Sequence, residues 1–415
     1  DFSYRVDGKS DFGSKKRYAP FWSTGIGWNL HNEKFLKGSF ANILRLKASY
    51  GQTGTQQGSD GANTLYKYIT DNRYMYWTGA ELQGLGNPYL TWQKTDEFNF
   101  GVEFGLWKGR MKGEFNVYTK KTSNLLSNMD LPHSNGFASY VDNVGEVKNN
   151  GWEASASVYV IRNAERDINW IIGGQLTYNK NYVSKLSEAI KAQNEAYLKE
   201  DVDVANLFYE GRPQNGIYVV RSLGIDPANG QEIFLDKDGN RTDIWKASDK
   251  VYVGQADPRY RGIANTMFMW KGLTVNVSAS FYWGGKRYNS TIIDRVEVGR
   301  TTLMAQNVDA RALYDRWQKP GDVAKYKRLT NSVNGSETRP TSRFVMDENT
   351  LTFGSLSLTY RMDQQNTRFL KKSFISSLKW GFTMEDIFYL SSVKQERGLD
   401  YPFARSVAFS LGIRF

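Results

Sequence analysis

The chain has no cysteine, and histidine occurs only at His31 and His133. That excludes a disulfide framework and a cysteine nucleophile, and leaves almost no room for a zinc site built from His and Cys. Long apolar runs are missing too. None is longer than Val158–Ile161 or Met267–Trp270, far short of the roughly 20 residues a transmembrane helix needs. No secretory leader is legible at Asp1.

What is present is a heavy aromatic load, 14% of 415 residues, in a chain whose mean hydropathy is only −0.57. The length alone would suit two or three soluble domains, but this pairing argues for something else. Helical membrane spans are excluded, whereas a membrane β-barrel is not. Its strands are about 9–11 residues of alternating polarity and leave little trace in bulk hydropathy.

The formal charge of +11 invites a nucleic-acid reading. Yet no basic run exceeds Lys15-Lys16-Arg17, and the remaining Lys and Arg are scattered. A basic rim attracted to the anionic lipopolysaccharide of an outer leaflet accounts for the charge more simply. Lipopolysaccharide and outer-membrane lipid are therefore expected partners, and nucleic acid is not.

Period-two alternation is clearest at the end of the chain. Val407, Phe409, Leu411, Ile413 and Phe415 alternate with Ser406, Ala408, Ser410, Gly412 and Arg414. Leu273, Val275, Val277, Ala279, Phe281 and Trp283 repeat the pattern, as do Phe98, Phe100, Val102, Phe104 and Leu106, and Leu44, Leu46, Ala48 and Tyr50. Such a strand has two different environments on its faces.

The pattern predicts strands over 1–6, 18–30, 41–51, 95–107, 110–121, 151–162, 168–181, 214–223, 231–236, 260–271, 273–284, 350–361, 376–388 and 404–415. These are about fourteen strands, mostly longer than the ~5–6 residues usual in globular sheets. The connections 31–40, 108–109, 163–167, 224–230, 272 and 362–375 are short or fairly short, and 52–94, 122–150, 182–213, 237–259, 285–349 and 389–403 are longer. Alternating short turns and long loops are the rhythm of an outer-membrane barrel, with the long loops outside the cell. Trp28, Trp107, Trp152, Trp170, Trp270, Trp283 and Trp380 fall at or near strand ends, where an interfacial girdle sits.

A series of short motifs runs through this pattern. Arg5-Val6-Asp7-Gly8 leads to Phe12-Gly13, Arg17-Tyr18-Ala19-Pro20-Phe21 and Gly27-Trp28; Leu44–Gly54 reads LRLKASYGQTG; Asn87–Thr95 reads NPYLTWQKT. Asn143-Val144-Gly145 and Asn150-Gly151-Trp152-Glu153 follow, then Ala256–Tyr260, Arg316-Trp317 with Pro320-Gly321-Asp322, Thr341–Val345 and Tyr401–Ser406.

In this order the set resembles the SusC/RagA-type TonB-dependent transporters of the Bacteroidota outer membrane, over essentially the whole chain. The resemblance implies an all-β, transmembrane antiparallel barrel of the plugged class with about 22 strands, of which residues 1–415 would be the C-terminal portion. The N-terminal plug, the TonB-contacting segment and the first strands are then expected outside this sequence. It further implies import of oligosaccharides, glycans or peptides without bond chemistry, a SusD-like surface lipoprotein as lid, and the TonB–ExbB–ExbD system as motor. The last strand, with Phe409, Leu411, Ile413 and Phe415, would be the signal read by the barrel-assembly machinery. An alternative role is that of a structural or assembly subunit of a larger outer-membrane complex, without import of its own.

No catalytic constellation is expected. His31 falls on a short connection and His133 on a long loop, so the two do not share a site. No cofactor is expected either. Asp236, Asp238 and Asn240 place oxygen ligands at the alternate positions of a calcium loop, but the later bidentate Glu is missing, and Asp-Gly-Asn is also turn chemistry. The segments 184–199 and 309–317 have helical spacing and are expected in long loops, packed on the rim of their own barrel or against a lid. Tyr66, Tyr68, Tyr74, Tyr76 and Trp77 in the 52–94 connection could stack on sugar rings or pack at the rim. The substrate-binding residues themselves stay unassigned.

Overall fold

The computed structural model describes residues 1–9, 16–55, 64–131, 133–137, 139–200, 207–297, 309–329, 338–365, 367–393 and 405–415. The strands in chain order are β1 (Phe2–Gly8), β2 (Tyr18–Asn29), β3 (Ala41–Thr55), β4 (Leu65–Tyr74), β5 (Trp77–Gly84), β6 (Gln93–Leu106) and β7 (Met111–Ser123). There follow β8 (Leu126–Asp130), β9 (Ser139–Asn143), β10 (Gly145–Asn163), β11 (Ile168–Leu186), β12 (Gly216–Ile225), β13 (Glu232–Leu235), β14 (Arg241–Thr242) and β15 (Lys250–Gln255). The last are β16 (Tyr260–Trp270), β17 (Leu273–Tyr288), β18 (Val345–Asp363), β19 (Ser377–Ser391) and β20 (Ser406–Arg414).

Twelve of them form one antiparallel meander, in the order β1-β2-β3-β6-β7-β10-β11-β16-β17-β18-β19-β20. Neighbours in the sheet are therefore successive wall strands in the chain, and the wall strands from β3 to β19 are 11–19 residues long.

Two of the expected wall strands belong elsewhere. β12 and β13 sit with β14 and β15 in a separate four-stranded sheet, inside the long connection between β11 and β16. The physical reason is visible in their burial. Gly216 to Val220 are buried without alternation, and a strand apolar on both faces cannot wall a lumen. β13 has four residues, too few to cross a bilayer. The two pairs β4–β5 and β8–β9 are likewise hairpins within loops.

With that correction the longest connections still lie at one end: those between β3 and β6, β7 and β10, β11 and β16, and β17 and β18. The other end holds the tight turns 107–110, 164–167 and 271–272 together with the wider connections 30–40 and 364–376. The Lys271-Gly272 turn is the tightest: Trp270 pairs with Leu273, and both turn residues have positive φ, +46° and +86°, as a two-residue hairpin with the twist of its strands requires.

Register fixes the two faces. Across β10, β11, β16 and β17, Trp152 faces Tyr178, Tyr178 faces Tyr260, and Tyr260 faces Trp283. Ring centroids are 6.1 Å apart for Trp152–Tyr178 and 5.1 Å for Tyr178–Tyr260. Trp107, stacked 6.3 Å from Phe40, and Trp28, Trp270 and Trp380, each about half exposed, form a second aromatic belt at the tight-turn end. Along β16 the two belts are ten residues apart, from Tyr260 to Trp270. At ~3.4 Å per residue and a tilt of about 40°, that gives a band of roughly 26 Å, close to the ~25 Å apolar height of outer-membrane barrels.

Among the described residues the apolar clusters do not fill a central core. Buried clusters lie at the loop end: Ala19, Phe21, Leu90 and Trp92; Met129, Val144, Val147, Val183, Leu186 and Ile190; and Ile292, Val296, Tyr326 and Phe344.

Candidate functional site: the inner wall and its rim

The inner face is what alternation leaves once the aromatic face is turned outward. In β3 to β10 it is charged. Lys47 lies 3.0 Å from Glu103 and 3.2 Å from Glu114, and Lys120 lies 3.2 Å from Glu97. Thr95 and Thr122 share a hydroxyl hydrogen bond of 2.9 Å. In β17 and β18 the same face carries Thr274, Asn276, Ser278 and Ser280 opposite Thr359, Ser357, Ser355 and Thr352, with Ser278 and Ser355 hydrogen-bonded at 2.7 Å. The wall thus changes from ion-paired to neutral and hydroxyl-rich.

Near the loop end of the neutral half is a recess of about 590 Å³, lined by Gln175, Thr177, Arg261, Ser280, Tyr282 and Glu348 among others. The Tyr282 hydroxyl donates to Glu348 at 3.3 Å, and Arg287 pairs with the same carboxylate. Arg261 reaches Asp257 at 3.7 Å. Gly285 lets the Ala256–Pro258 backbone approach: a Cβ there would stand 3.0 Å from the Ala256 carbonyl oxygen. The Ala256–Tyr260 motif thus forms part of the recess.

Five of the other motifs meet in the rim, whereas Phe12-Gly13 and Tyr401–Ala404 lie outside the described residues. Trp92 is buried edge-on against Phe21, centroids 5.8 Å apart, and its Nε1 donates to the Lys16 carbonyl at 2.9 Å. The Asn87 side-chain amide donates to Asp142 at 3.0 Å, while Asn143 Oδ1 accepts from the Thr91 backbone N–H at 3.0 Å. Asn143 Nδ2 in turn donates to the carbonyls of Thr91 and Asn124. The Asn87–Thr95 and Asn143–Gly145 motifs are two halves of one loop clasp.

The second clasp is ionic. Arg343 donates to Glu232 at 2.9 Å and to Glu297 at 2.7 Å. Arg316 donates to the carbonyl oxygens of Val296, Glu297, Ala312 and Lys327 at 2.6–2.8 Å. Glu297 is fully buried. Burial opposes the charge on Arg343, but the hydrogen bonds and charges of Glu297 and Glu232 outweigh it and hold its pKa above the usual value. Lys327 has the opposite balance. Burial, helped by Arg343 and Arg316, lowers its pKa against the pull of Glu297 and Glu232. Glu232 and Glu297 were not foreseen. They stand 111 and 46 positions from Arg343, and no local pattern marks them; the only trace in the chain was the pair of motifs carrying Arg316 and Arg343.

The other residues singled out in the sequence are scattered. Phe409, Leu411 and Ile413 lie on the outer face of β20, with Phe409 5.1 Å from Phe382, and Phe415 stacks on Phe374 at 5.7 Å. Asp236 accepts from the backbone of Asp238 and Asn240 and from the Asn240 side chain at 2.8–3.1 Å. These bonds hold its pKa below the ordinary carboxylate value, and Gly239 has φ +89°. The geometry is that of a closed turn, and among the described residues no group of three or more His, Cys, Asp or Glu could hold a metal ion.

His31 bonds the Leu44 backbone through Nδ1. His133 begins a short 3-10 turn in a different loop. Of the expected helices, α1 (Glu188–Lys199) is capped by Ser187 and packs Ile190 on the rim cluster of Val147 and Val183. Only Arg311–Tyr314 of the second is helical. Tyr66, Tyr68, Tyr76 and Trp77 are 65–95% exposed on the β4–β5 hairpin, where Tyr74 also falls.

Comparison with known proteins agrees with this architecture. The family model of TonB dependent receptor-like β-barrels matches residues 1–334. The TonB-dependent receptor P39 of Formosa agariphila is 25% identical, over 94% of this chain and 41% of that protein. SusC of Bacteroides thetaiotaomicron, also a TonB-dependent receptor, is 26% identical over 74% of this chain and 32% of its own length. Among solved structures, the RagAB peptide transporter superposes with a TM-score of 0.79 at 24% identity, over 94% of this chain and 42% of that one. The chain thus spans about two fifths of the curated relative P39 and about a third of SusC.

Proposed function

The chain belongs to the TonB dependent receptor-like β-barrel family, an outer-membrane family of receptors and transporters rather than enzymes, and from that premise we propose that it forms the C-terminal part of the barrel of a SusC-like nutrient importer. The plug and the first strands belong to the remainder of that protein in this reading. The observation that carries it is the sorting of one twelve-stranded sheet into an outer face with two aromatic belts and an inner polar face under an anchored rim. Such a wall binds and passes a cargo; it needs no nucleophile, and His31 is engaged by backbone.

The cargo class we propose is an oligosaccharide or a peptide, delivered by a SusD-like lipoprotein seated on the rim. TonB–ExbB–ExbD supplies the work that moves the plug, and the barrel-assembly machinery reads the β20 segment ending at Phe415. SusC among the similar proteins supports a TonB-dependent receptor of this kind, and the RagAB peptide transporter supports the peptide member of the class.

Uptake of labelled oligosaccharides and peptides by cells producing the full-length protein tests the reading. Uptake of one class that stops when the gene or tonB is deleted is the expected result. Unchanged uptake after gene deletion, together with loss of a larger outer-membrane complex, would instead establish the structural role.

A further inference from the structure

We propose that the outer face of β10 and β11, just beyond the aromatic belt, is a binding site for a phosphorylated glycolipid headgroup of the outer leaflet. The inference rests on the outer-membrane placement of the barrel and does not depend on import.

The register places the groups. Trp152 and Tyr178 stand opposite each other in the belt. One step further toward the long loops on the same outward face are Asn150 and Lys180, again opposite each other, and one step beyond are Lys148 and Tyr182. Lys148 and Lys180 are therefore diagonal neighbours, about 7–8 Å apart in the backbone and somewhat less at Cβ. Lys148 also stands directly across from Lys121 on β7, and like charges placed opposite each other oppose pairing. Lys121 is relieved: Glu146 lies 3.1 Å away, and Asp96 flanks it on β6. Lys148 and Lys180 have no ion-pair partner among the described residues.

Lys148, Lys180, Asn150 and Tyr182 thus share one patch of the outward face on one side of an aromatic row, where the Asn150 amide oxygen accepts from the Thr119 hydroxyl and its Nδ2 is the group left to donate. The depth is the second argument. Lys180 and Lys148 lie two and four residues beyond the belt, or about 5–10 Å above it after tilt, at the level of headgroups. Long Lys stems lie along the apolar face and lift their charge to that level. An acyl chain of the same lipid would run down over Trp152, Tyr178 and Tyr260, while its phosphate accepts charge-assisted hydrogen bonds from Lys148 and Lys180. Soluble inorganic phosphate offers the same oxygens without the chains, so the two sources can be separated.

The full-length protein, reconstituted in vesicles carrying either a phosphorylated glucosamine-disaccharide lipid or its dephosphorylated form, is compared by native mass spectrometry of retained lipid. Wild type is expected to retain the phosphorylated form about tenfold better, a preference that K148Q/K180Q loses and K148R/K180R keeps. Heat-modifiable gel migration confirms that each variant is a folded barrel. Equal retention by K148Q/K180Q and wild type would overturn the proposal. Displacement of the lipid by millimolar inorganic phosphate would also overturn it, assigning the lysines to a free anion.

Discussion

At Arg343 one guanidinium faces both Glu232 and Glu297. Arg343→Met should leave two buried carboxylates without the guanidinium that hydrogen-bonds both of them, a loss of about 3–5 kcal/mol felt in the rim and not in the wall. Limited proteolysis of the loops should therefore accelerate sharply, while heat-modifiable migration of the barrel persists; Arg343→Lys should rescue only partly, since a single ammonium cannot span both carboxylates with the guanidinium's fork. Lys327 gives a pH effect of fixed sign. Its folded pKa is lowered by burial, so the folded rim gives up that proton more readily than the unfolded chain. The penalty for charged Lys327 is full below the lowered pKa and vanishes as pH rises toward the ordinary 10.5. Rim stability against protease should rise through that alkaline window, and in Lys327→Met this contribution should be flat. Neither effect was legible in sequence, because neither Glu232 nor Glu297 sits near Arg343 in the chain.

Among the elements, the Lys271-Gly272 turn and the Trp92 clasp make opposite demands. Gly272 has φ +86°, and a Cβ there would run into the Arg361 carbonyl. Gly272→Val should destabilise the β16–β17 hairpin by about 1–3 kcal/mol, read as a lower urea midpoint of the folded barrel. Trp92→Ala empties the contact with Phe21 and should cost about 3–5 kcal/mol, read as protease access at Lys16 and Arg17, ahead of β2, with the wall intact. The sequence made the long wall strands plain, because one wet and one lipid face force period two. It misplaced β12 and β13. Their continuous apolar run, Ile217 to Val220, carries no alternation, and that was the available sign of a strand buried on both sides. The rim helix α1 was legible from its spacing; the short Arg311–Tyr314 helix was overextended because neighbouring Arg316 and Trp317 turn outward to clasp other loops.

For the whole sheet, the absence of cysteine from these 415 residues makes the two faces measurable with single thiols, in a full-length protein whose other cysteines, if any, are replaced. Single replacements along β17 should alternate: Ser278→Cys should react with a water-soluble maleimide in the folded protein, and Val277→Cys should react only with a lipid-soluble one. A run in which both react alike would contradict the assigned register. The outer face and the loop order were readable from the chain, since lipid and water impose them residue by residue. The recess at Arg261, Tyr282 and Glu348 was not, because it exists only where β11, β16, β17 and β18 come side by side.

The two clasps have a consequence for how this surface can change. Arg343 joins β13, the helical turn ending at Glu297 and the start of β18, and Asn143 joins the stretches on either side of the β6–β7 hairpin. Among the described residues the rim is therefore tied at a few knots. Insertions between knots can reshape the mouth without unsettling the wall, whereas a single substitution at a knot would loosen several loops together.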